Sequence, residues 1–222
     1  MRRFGRAARQ EWPVLSGGGY GHCQIAGGEE KMAETIRAWT RQVPQVWDEI
    51  CETGTYRVLE EYVRAKNMDI SDYYISLYRW LTDCSRRYIE GIPEDAQFPV
   101  WLAMTEAQRL GAAPGMISLT LEIPRERVFL IDYDKWGYIV NHFYLPKDAE
   151  DERRHNEELK MMGIGNEAQL IVTDKGNFYP ALKQKILRSW NRLFDGPNAN
   201  MDNNVGVIWE IKPEWVVEVE RY

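Results

Sequence analysis

The chain has 222 residues and a formal net charge of -6, and 44% of its residues are hydrophobic. A chain of this length can bury a sizeable core, and its acidic balance argues against binding to duplex nucleic acid. It contains no run of about 18 apolar residues, so we expect no membrane span. Three widely spaced cysteines favour a reducing, cytoplasmic setting and predict neither a metal site nor a disulfide framework.

Residues 1–31 differ in pattern from the rest of the chain. They contain two glycine runs and show neither helical nor strand periodicity, which predicts a disordered N-terminal extension. Patterned sequence begins directly after Met32, so Met32 is a candidate for the true start, and a genuine flexible tail is the alternative. We expect residues 32–222 to form a single domain, because no composition shift within them marks a linker.

The first half of this domain predicts one strand and two helices. Residues 34–40 predict a strand, and residues 44–52 predict a short helix with proline in its first turn and Gly54 just past its end. Residues 71–90 form the clearest helix, because apolar residues recur on one face at helical spacing. That face is expected to lie in the core and consists of Tyr74, Leu77, Tyr78, Leu81 and Tyr88.

The second half mixes strands and helices without a regular period. Residues 116–123 alternate between apolar and polar side chains, which predicts a half-buried strand with Ser118 and Thr120 on its polar side. Residues 128–131 are apolar on both faces and so predict a central strand. We therefore expect an α+β fold, a single compact domain with a mixed or antiparallel sheet and several packed helices. The remaining segments predict a helix that Asp132 or Asp134 caps and that stops before Pro146, helices at 148–160 and 180–195, and strands at 205–211 and 215–220.

Two segments of the chain resemble each other. Residues 121–131 and 209–219 share four identities in eleven positions. Each segment holds a strand, a turn and a second strand, so the similarity predicts two related strand–turn–strand units. The similarity is too short for a solenoid repeat.

Motifs with a well-defined chemistry are missing from the sequence. It has no glycine-rich phosphate loop, no GxSxG elbow, no HExxH pair and no EF-hand loop. His155 falls in the charged helix at 148–160, which is expected to be solvated. Candidate function therefore rests on polar residues beside tryptophans, since small-molecule pockets are mostly aromatic with a few placed polar groups.

Two clusters of this kind lie in the first half of the domain. Thr40 and Gln42 end the first strand beside Trp39, where a core indole followed by a turn is the structural alternative. Arg87 lies on one helix edge and offers its guanidinium to a phosphate or carboxylate. A surface ion pair between Asp83 and Arg87 is the simpler explanation of that second cluster.

Two further clusters contain more polar side chains than their secondary structure requires. Asp132 and Asp134 flank an aromatic residue at a strand end, and helix capping requires one aspartate. Ser189 lies inside an apolar helix stripe, either as a pocket residue or as a serine bonded to its own helix backbone. We predict that the clusters converge on one cleft, because unpaired buried polar groups are costly. The predicted ligand-binding residues are Trp39, Thr40, Gln42, Arg87, Trp101, Asp132, Asp134, Trp136, Asn141, Ser189 and Trp190.

The same blocks resemble an uncharacterised bacterial family, one of the domains of unknown function. The resemblance runs from about residue 36 to the C-terminus and depends on the order and spacing of the blocks. It implies membership of a family but no mechanism. The blocks are WTRQ at 39–42, YRWL at 78–81, PVW at 99–101, IDYDKW at 131–136 and SWNRLFD at 189–195.

The sequence leaves two functions open and does not decide whether the chain is an enzyme. The first is a binding module whose tryptophan-rich cleft takes a nucleotide-like small molecule or a partner peptide, with no cofactor indicated. The alternative is an ADP-ribosyltransferase-like enzyme that uses NAD, because the segment around Glu210 resembles the glutamate strand of such transferases. A glutamate there would stabilise oxocarbenium-like charge, with Arg37 or Thr40 holding the ribose or phosphate.

The catalytic candidates are few. Glu210 is the candidate under the transferase hypothesis, and Asp132 and Asp134 are the others. A pocket that gathers Trp39, Ser118 and Glu210 would favour the transferase.

Overall fold

The computed structural model describes residues 34–222, so the extension expected at 1–31 lies outside the described residues. The described chain has an α+β fold with two three-stranded antiparallel sheets and surrounding helices, which confirms the predicted fold class. The strands are β1 (Thr35–Gln42), β2 (Val100–Leu102), β3 (Ile117–Pro124), β4 (Phe129–Asp132), β5 (Asn204–Ile208) and β6 (Val216–Arg221). The α-helices are α1 (Pro44–Thr53), α2 (Glu60–Asn67), α3 (Ser71–Ser85), α4 (Tyr133–Val140), α5 (Ala149–Met161), α6 (Gln169–Val172) and α7 (Pro180–Ser189).

Local sequence signals set several of these boundaries. Pro44 starts α1, where its missing N–H costs no hydrogen bond. Gly54 ends α1 in the left-handed conformation, with φ of 79°, and its N–H donates to the Ile50 carbonyl at 2.9 Å. Asp132 caps the start of α4, because its carboxylate accepts from the N–H groups of the second and third helical residues, Asp134 and Lys135. These ends lie within a residue or two of the predicted ones.

The two sheets meet along β1. The first sheet has the order β1–β3–β6 and the second has the order β2–β5–β4. An isolated antiparallel bridge joins them, because Trp39 and Ala103 exchange backbone hydrogen bonds of 3.0 and 2.8 Å. The C-terminal end of β1 therefore lies where the edge of one sheet reaches the other.

The two related strand–turn–strand segments connect the sheets. In the first segment β3 leads to β4 through the 3-10 turn Arg125–Arg127. The second segment begins directly after β5, which ends at Ile208, and leads to β6 through the turn Pro213–Trp215. Each segment thus leads from one sheet to the other. Because β3 pairs with β6 and β4 pairs with β5, both antiparallel, the two units run against each other.

The core forms two large apolar clusters, one on each side of the second sheet, and a small third one of Val63, Ile75 and Phe98. Consecutive residues of β5 point to opposite faces of the second sheet. Ile208 joins the cluster under the first sheet, whereas Val207 joins the cluster among the helices. The first cluster includes Leu119 and Leu121 of β3, and the second includes Leu193. The side chains on both faces of β5 are therefore buried, each face in a different cluster.

The exposure of two strands differs from the prediction. β3 is not half-buried, because Ser118 and Thr120 are only 1% and 4% exposed. β4 is an edge strand rather than a central one, since β5 holds the centre of its sheet. Its apolar residues are nevertheless explained, because Ile131 packs into the helical cluster. A run of apolar residues indicates that both faces of a strand are buried, but it does not show whether the strand is central or at an edge of its sheet.

Two helical predictions also need correction. α3 ends at Ser85, not at residue 90, and Tyr88 is 55% exposed rather than in the core. The chain turns back there, because the Arg86 guanidinium donates to the carbonyls of Pro93 and Ala96 at 3.0 and 2.8 Å. The charged helix α5 was expected to be solvated, but His155 is buried, so one face of α5 packs against the protein.

Candidate functional site

A cleft of about 490 Å³ opens where the two sheets meet. Its walls are the C-terminal end of β1, strand β2, the inner side of α2 and the segment 108–111. Ser118 of β3 lies at its floor, and Tyr133 at the start of α4 completes the lining. The buried polar side of β3 is thus covered by the structures around this cleft.

One wall of the cleft is aromatic. Trp101 and Tyr78 line it with ring centroids 5.9 Å apart. Trp136 lies behind them, 5.2 Å from the Trp101 ring and 6.4 Å from the Tyr78 ring. Burial raises the pKa of the Tyr78 phenol, so this hydroxyl stays neutral at physiological pH. The wall offers flat apolar faces to a planar group.

Another side of the cleft is basic. Arg41, Lys66 and Arg109 line it, and no carboxylate does so among the residues that the structure describes. The Arg41 Nη1 group donates to the Gly111 carbonyl at 3.0 Å, while its Nε is buried without an acceptor in the described chain. Burial lowers the pKa of Lys66, and repulsion from Arg41 lowers it further. A bound anion would relieve that repulsion.

The third of these cations, Arg109, has an acidic partner. Its guanidinium forms an ion pair with Glu220 of β6, and the Tyr222 hydroxyl donates to the same carboxylate at 3.2 Å. Glu220 lies opposite Ser118 in the β3–β6 register but is not part of the cleft lining. This ion pair therefore borders the floor of the cleft.

Four of the predicted ligand-binding residues meet in this cleft. Trp39, Thr40 and Gln42 line it at the end of β1, and Trp101 lines it from β2. The Gln42 side-chain amide donates to the Thr40 hydroxyl at 2.7 Å, so the two polar groups hold each other in place. The strand-end cluster is thus part of the candidate site.

The aspartate cluster lies outside the cleft lining. Asp132 accepts from the N–H groups of Asp134 and Lys135 at 3.0 and 3.3 Å and from the Asn198 amide at 3.2 Å. Asp134 is exposed, and the exposed Asn141 side chain donates to the Gly137 carbonyl of its own helix at 2.7 Å. The residue between the aspartates, Tyr133, is the one that reaches the cleft.

The remaining predicted residues have structural contacts instead. The Ser189 hydroxyl accepts from the Leu145 N–H at 2.9 Å and donates to the Ile186 carbonyl at 2.6 Å. The Trp190 indole donates to the Phe143 carbonyl at 2.9 Å. Arg87 and Trp136 also lie outside the cleft lining. The single shared site expected from the sequence therefore does not gather all eleven residues.

Replacing Ser189 with alanine tests its structural assignment. We expect the free energy of unfolding to fall by about 1 to 3 kcal/mol, because the buried Leu145 N–H loses its acceptor. Ligand affinity at the cleft should not change. Urea unfolding measures stability and calorimetric titration measures affinity. A loss of affinity without a loss of stability would contradict the structural assignment and indicate that Ser189 contributes to binding.

Glu210 is held by basic residues away from the cleft. Its carboxylate lies 3.2 Å from Arg57 Nη2 and 3.6 Å from Lys212 Nζ, and Arg57 also binds Asp95. Glu210 is not among the residues that line the cleft. Trp39 and Ser118 do line it, so two of the three residues required by the transferase hypothesis come together without the glutamate.

Sequence reasoning missed the basic side of the cleft. Arg41 stands inside the WTRQ block, between two residues that were predicted, so its position was the available signal. Lys66 and Arg109 carry no such signal, because they come from a charged helix and from a loop. Tyr133 could have been found from its place between the two aspartates.

Comparison with known proteins gives a family and nothing finer. The family model described as Domain of unknown function (DUF3841) matches residues 37–217, which confirms the resemblance to such a family. No curated protein and no solved structure matches the chain. Within residues 34–222, no helix is long and apolar enough to cross a bilayer.

Proposed function

The chain belongs to the DUF3841 family, and from that premise and the geometry of the cleft we propose that it binds a nucleotide-like small molecule. The ligand has a planar ring and an anionic group. The ring lies against the aromatic wall, and the anionic group lies against the basic side.

The charge of the cleft is the observation that carries this proposal. Three basic side chains and no carboxylate of residues 34–222 line the cleft, although the chain as a whole has a net charge of -6. A concave surface of one sign raises the local concentration of ligands of the opposite sign. An acidic protein that concentrates positive charge in one cleft is therefore suited to an anionic ligand.

The shape of the cleft supports a small molecule rather than a partner peptide. Its volume of about 490 Å³ falls within the range of roughly 300 to 1,000 Å³ that is usual for small-molecule sites. Trp101 and Tyr78 are fixed from behind by Trp136, so the aromatic wall is pre-formed. A pre-formed wall reduces the entropy lost when a planar ring binds.

The transferase alternative lacks its acidic residue at the cleft. Glu210 is ion-paired with Arg57 and Lys212 and does not line the cleft, so this carboxylate does not face the proposed ligand. Binding alone is the function that the contacts favour.

Calorimetric titration with three probes tests the proposal. Adenosine monophosphate carries both a ring and a phosphate, adenosine carries the ring alone, and inorganic phosphate carries the anion alone. We expect the monophosphate to bind at least about tenfold more tightly than either part, because only it contacts both sides of the cleft. Absence of binding by all three probes at millimolar concentration would contradict the proposal.

A matched pair of variants assigns the binding to this cleft. Arg41→Met removes a lining guanidinium and should weaken the monophosphate by at least about tenfold. Arg87→Met makes the same charge change outside the cleft and should alter affinity by less than about twofold. Equal effects of the two variants would place the anion elsewhere, and melting temperatures show whether either variant is unfolded.

A further inference from the structure

Resting on that proposed function, we infer that Asn67 accepts a hydrogen bond from an N–H group at the edge of the ligand's ring, and that the cleft thereby selects rings that carry such a donor. The ligand class is then an amino-bearing planar ring joined to an anionic group, as in adenosine monophosphate. Asn67 is a specificity-determining residue that contacts the ligand.

Asn67 is a buried polar side chain in the wall of the cleft. It is the last residue of α2, it lines the cleft, and it is only 5% exposed. Its amide nitrogen donates to the Val63 carbonyl at 2.8 Å. A carbonyl oxygen only accepts hydrogen bonds, so this contact fixes the amide nitrogen against the helix and turns the amide oxygen away from it.

The amide oxygen of Asn67 is open to a ligand. It has no hydrogen-bond partner in the part of the chain that the structure describes. It is not sealed inside the protein, since the described side-chain atoms that are both unpartnered and fully buried do not include it. Water can satisfy this oxygen in the free protein, but a ligand that fills the cleft displaces that water and must supply a donor itself.

The helix places Asn67 beside the aromatic wall. Val63 lies one turn earlier on the same helix face and is buried with Phe98 in the small third cluster, against which Tyr78 packs. Tyr78 and Trp101 form the wall on which we place the ligand's ring. Asn67 therefore lies on the side of α2 that meets this wall, within reach of the edge of a ring held there.

A fixed acceptor at this place discriminates between rings. An amino group or a ring N–H pairs with the Asn67 oxygen, whereas a ring edge without a donor leaves the oxygen unpaired once the ligand has excluded water. A site built to hydrogen-bond its ligand rejects an analogue without the matching group far more strongly than an apolar pocket rejects a smaller one. The ring is thus selected by its edge as well as by its flat faces.

Calorimetric titration with two nucleotides that differ in one donor tests this inference. Adenosine monophosphate carries an amino group on its ring. Purine riboside monophosphate has the same sugar and phosphate but a hydrogen in place of the amino group, so its ring has no N–H. In the unmodified chain we expect adenosine monophosphate to bind at least about tenfold more tightly, because only it pairs the Asn67 oxygen. Equal affinities would overturn the inference while leaving the proposed function in place, and this comparison needs no variant.

Asn67→Leu assigns the preference to this residue. Leucine has a similar size and branching but no acceptor, so the preference for the amino-bearing ring should fall to less than about twofold. A general loss of structure would weaken both nucleotides alike. The ratio of the two affinities therefore separates a binding role from a structural one, and a preference that persists in Asn67→Leu would overturn the assignment.

Asn141→Leu is the matched control. The Asn141 amide donates to the Gly137 carbonyl at 2.7 Å, four residues earlier, as the Asn67 amide does to Val63. Asn141 is exposed and lies outside the cleft lining. Asn141→Leu should therefore keep the preference of the unmodified chain, and its loss there would also overturn the inference. Failure of adenosine monophosphate to bind at all is a different result, which overturns the proposed function and this inference with it.

Discussion

Replacing Trp136 with alanine is expected to lower the free energy of unfolding by about 3 to 5 kcal/mol, as is usual for a buried tryptophan. The side chain is only 6% exposed and belongs to the helical core cluster. It also supports two rings of the cleft wall, Trp101 and Tyr78, from behind. Urea unfolding followed by far-UV circular dichroism measures the loss, since the substitution removes a fluorophore.

Tyr88→Ala is the control for this prediction. Tyr88 stacks on Phe194 with ring centroids 4.7 Å apart, but it is 55% exposed. We expect it to cost less than about 1.5 kcal/mol, because an aromatic pair at the surface adds little burial. If the two substitutions cost the same, the cleft wall does not depend on the buried indole in the way described.

Replacing His155 with leucine should cost about 2 to 4 kcal/mol, the second large effect that we expect. His155 is 2% exposed, and its Nε2 forms a hydrogen bond of 2.7 Å with Glu167 Oε2. The imidazole also stacks on Tyr144 at a centroid distance of 4.1 Å. Leucine would fill part of the space but would leave the partly buried carboxylate of Glu167 without its imidazole partner. Equilibrium urea unfolding at neutral pH gives the difference directly.

Arg153→Leu provides a control on the same helix. Arg153 forms ion pairs with Glu150 and Glu157, but its side chain is 57% exposed. Exposed pairs of this kind contribute little, so the free energy of unfolding should stay close to that of the unmodified chain. A loss at Arg153 as large as that at His155 would mean that α5 depends on its charged surface rather than on its buried face.

The elements were predictable because their signals are local. Pro44, Gly54 and Asp132 mark helix ends through their own backbone chemistry, which a sequence displays directly. The exposure of β3 was not predictable in this way. Alternation shows that Ser118 faces away from the core, but it does not show whether water or other protein covers that side.

The candidate site was predictable only in part, for a related reason. Thr40 and Gln42 were predicted from their surplus polar groups, and they line the cleft and bond to each other there. The same argument was misleading for Ser189, whose second partner is the N–H of Leu145, 44 positions away. The basic side of the cleft is assembled from residues 41, 66 and 109, whose spacing follows no helical or strand period. Tertiary contacts alone bring them together.

The crossing of both strand–turn–strand units between the sheets has a consequence for folding during synthesis. β5 is the centre of one sheet and β6 is an edge of the other, so neither sheet is complete before residues 204–221 have left the ribosome. The pairing of Ser118 with Glu220 also closes a long loop, and long-range pairings slow folding. A nascent chain stopped before β5 can pair β1 with β3, but it lacks the strand that holds β2 and β4 together, so neither of the two large core clusters is complete until β5 and β6 have been made.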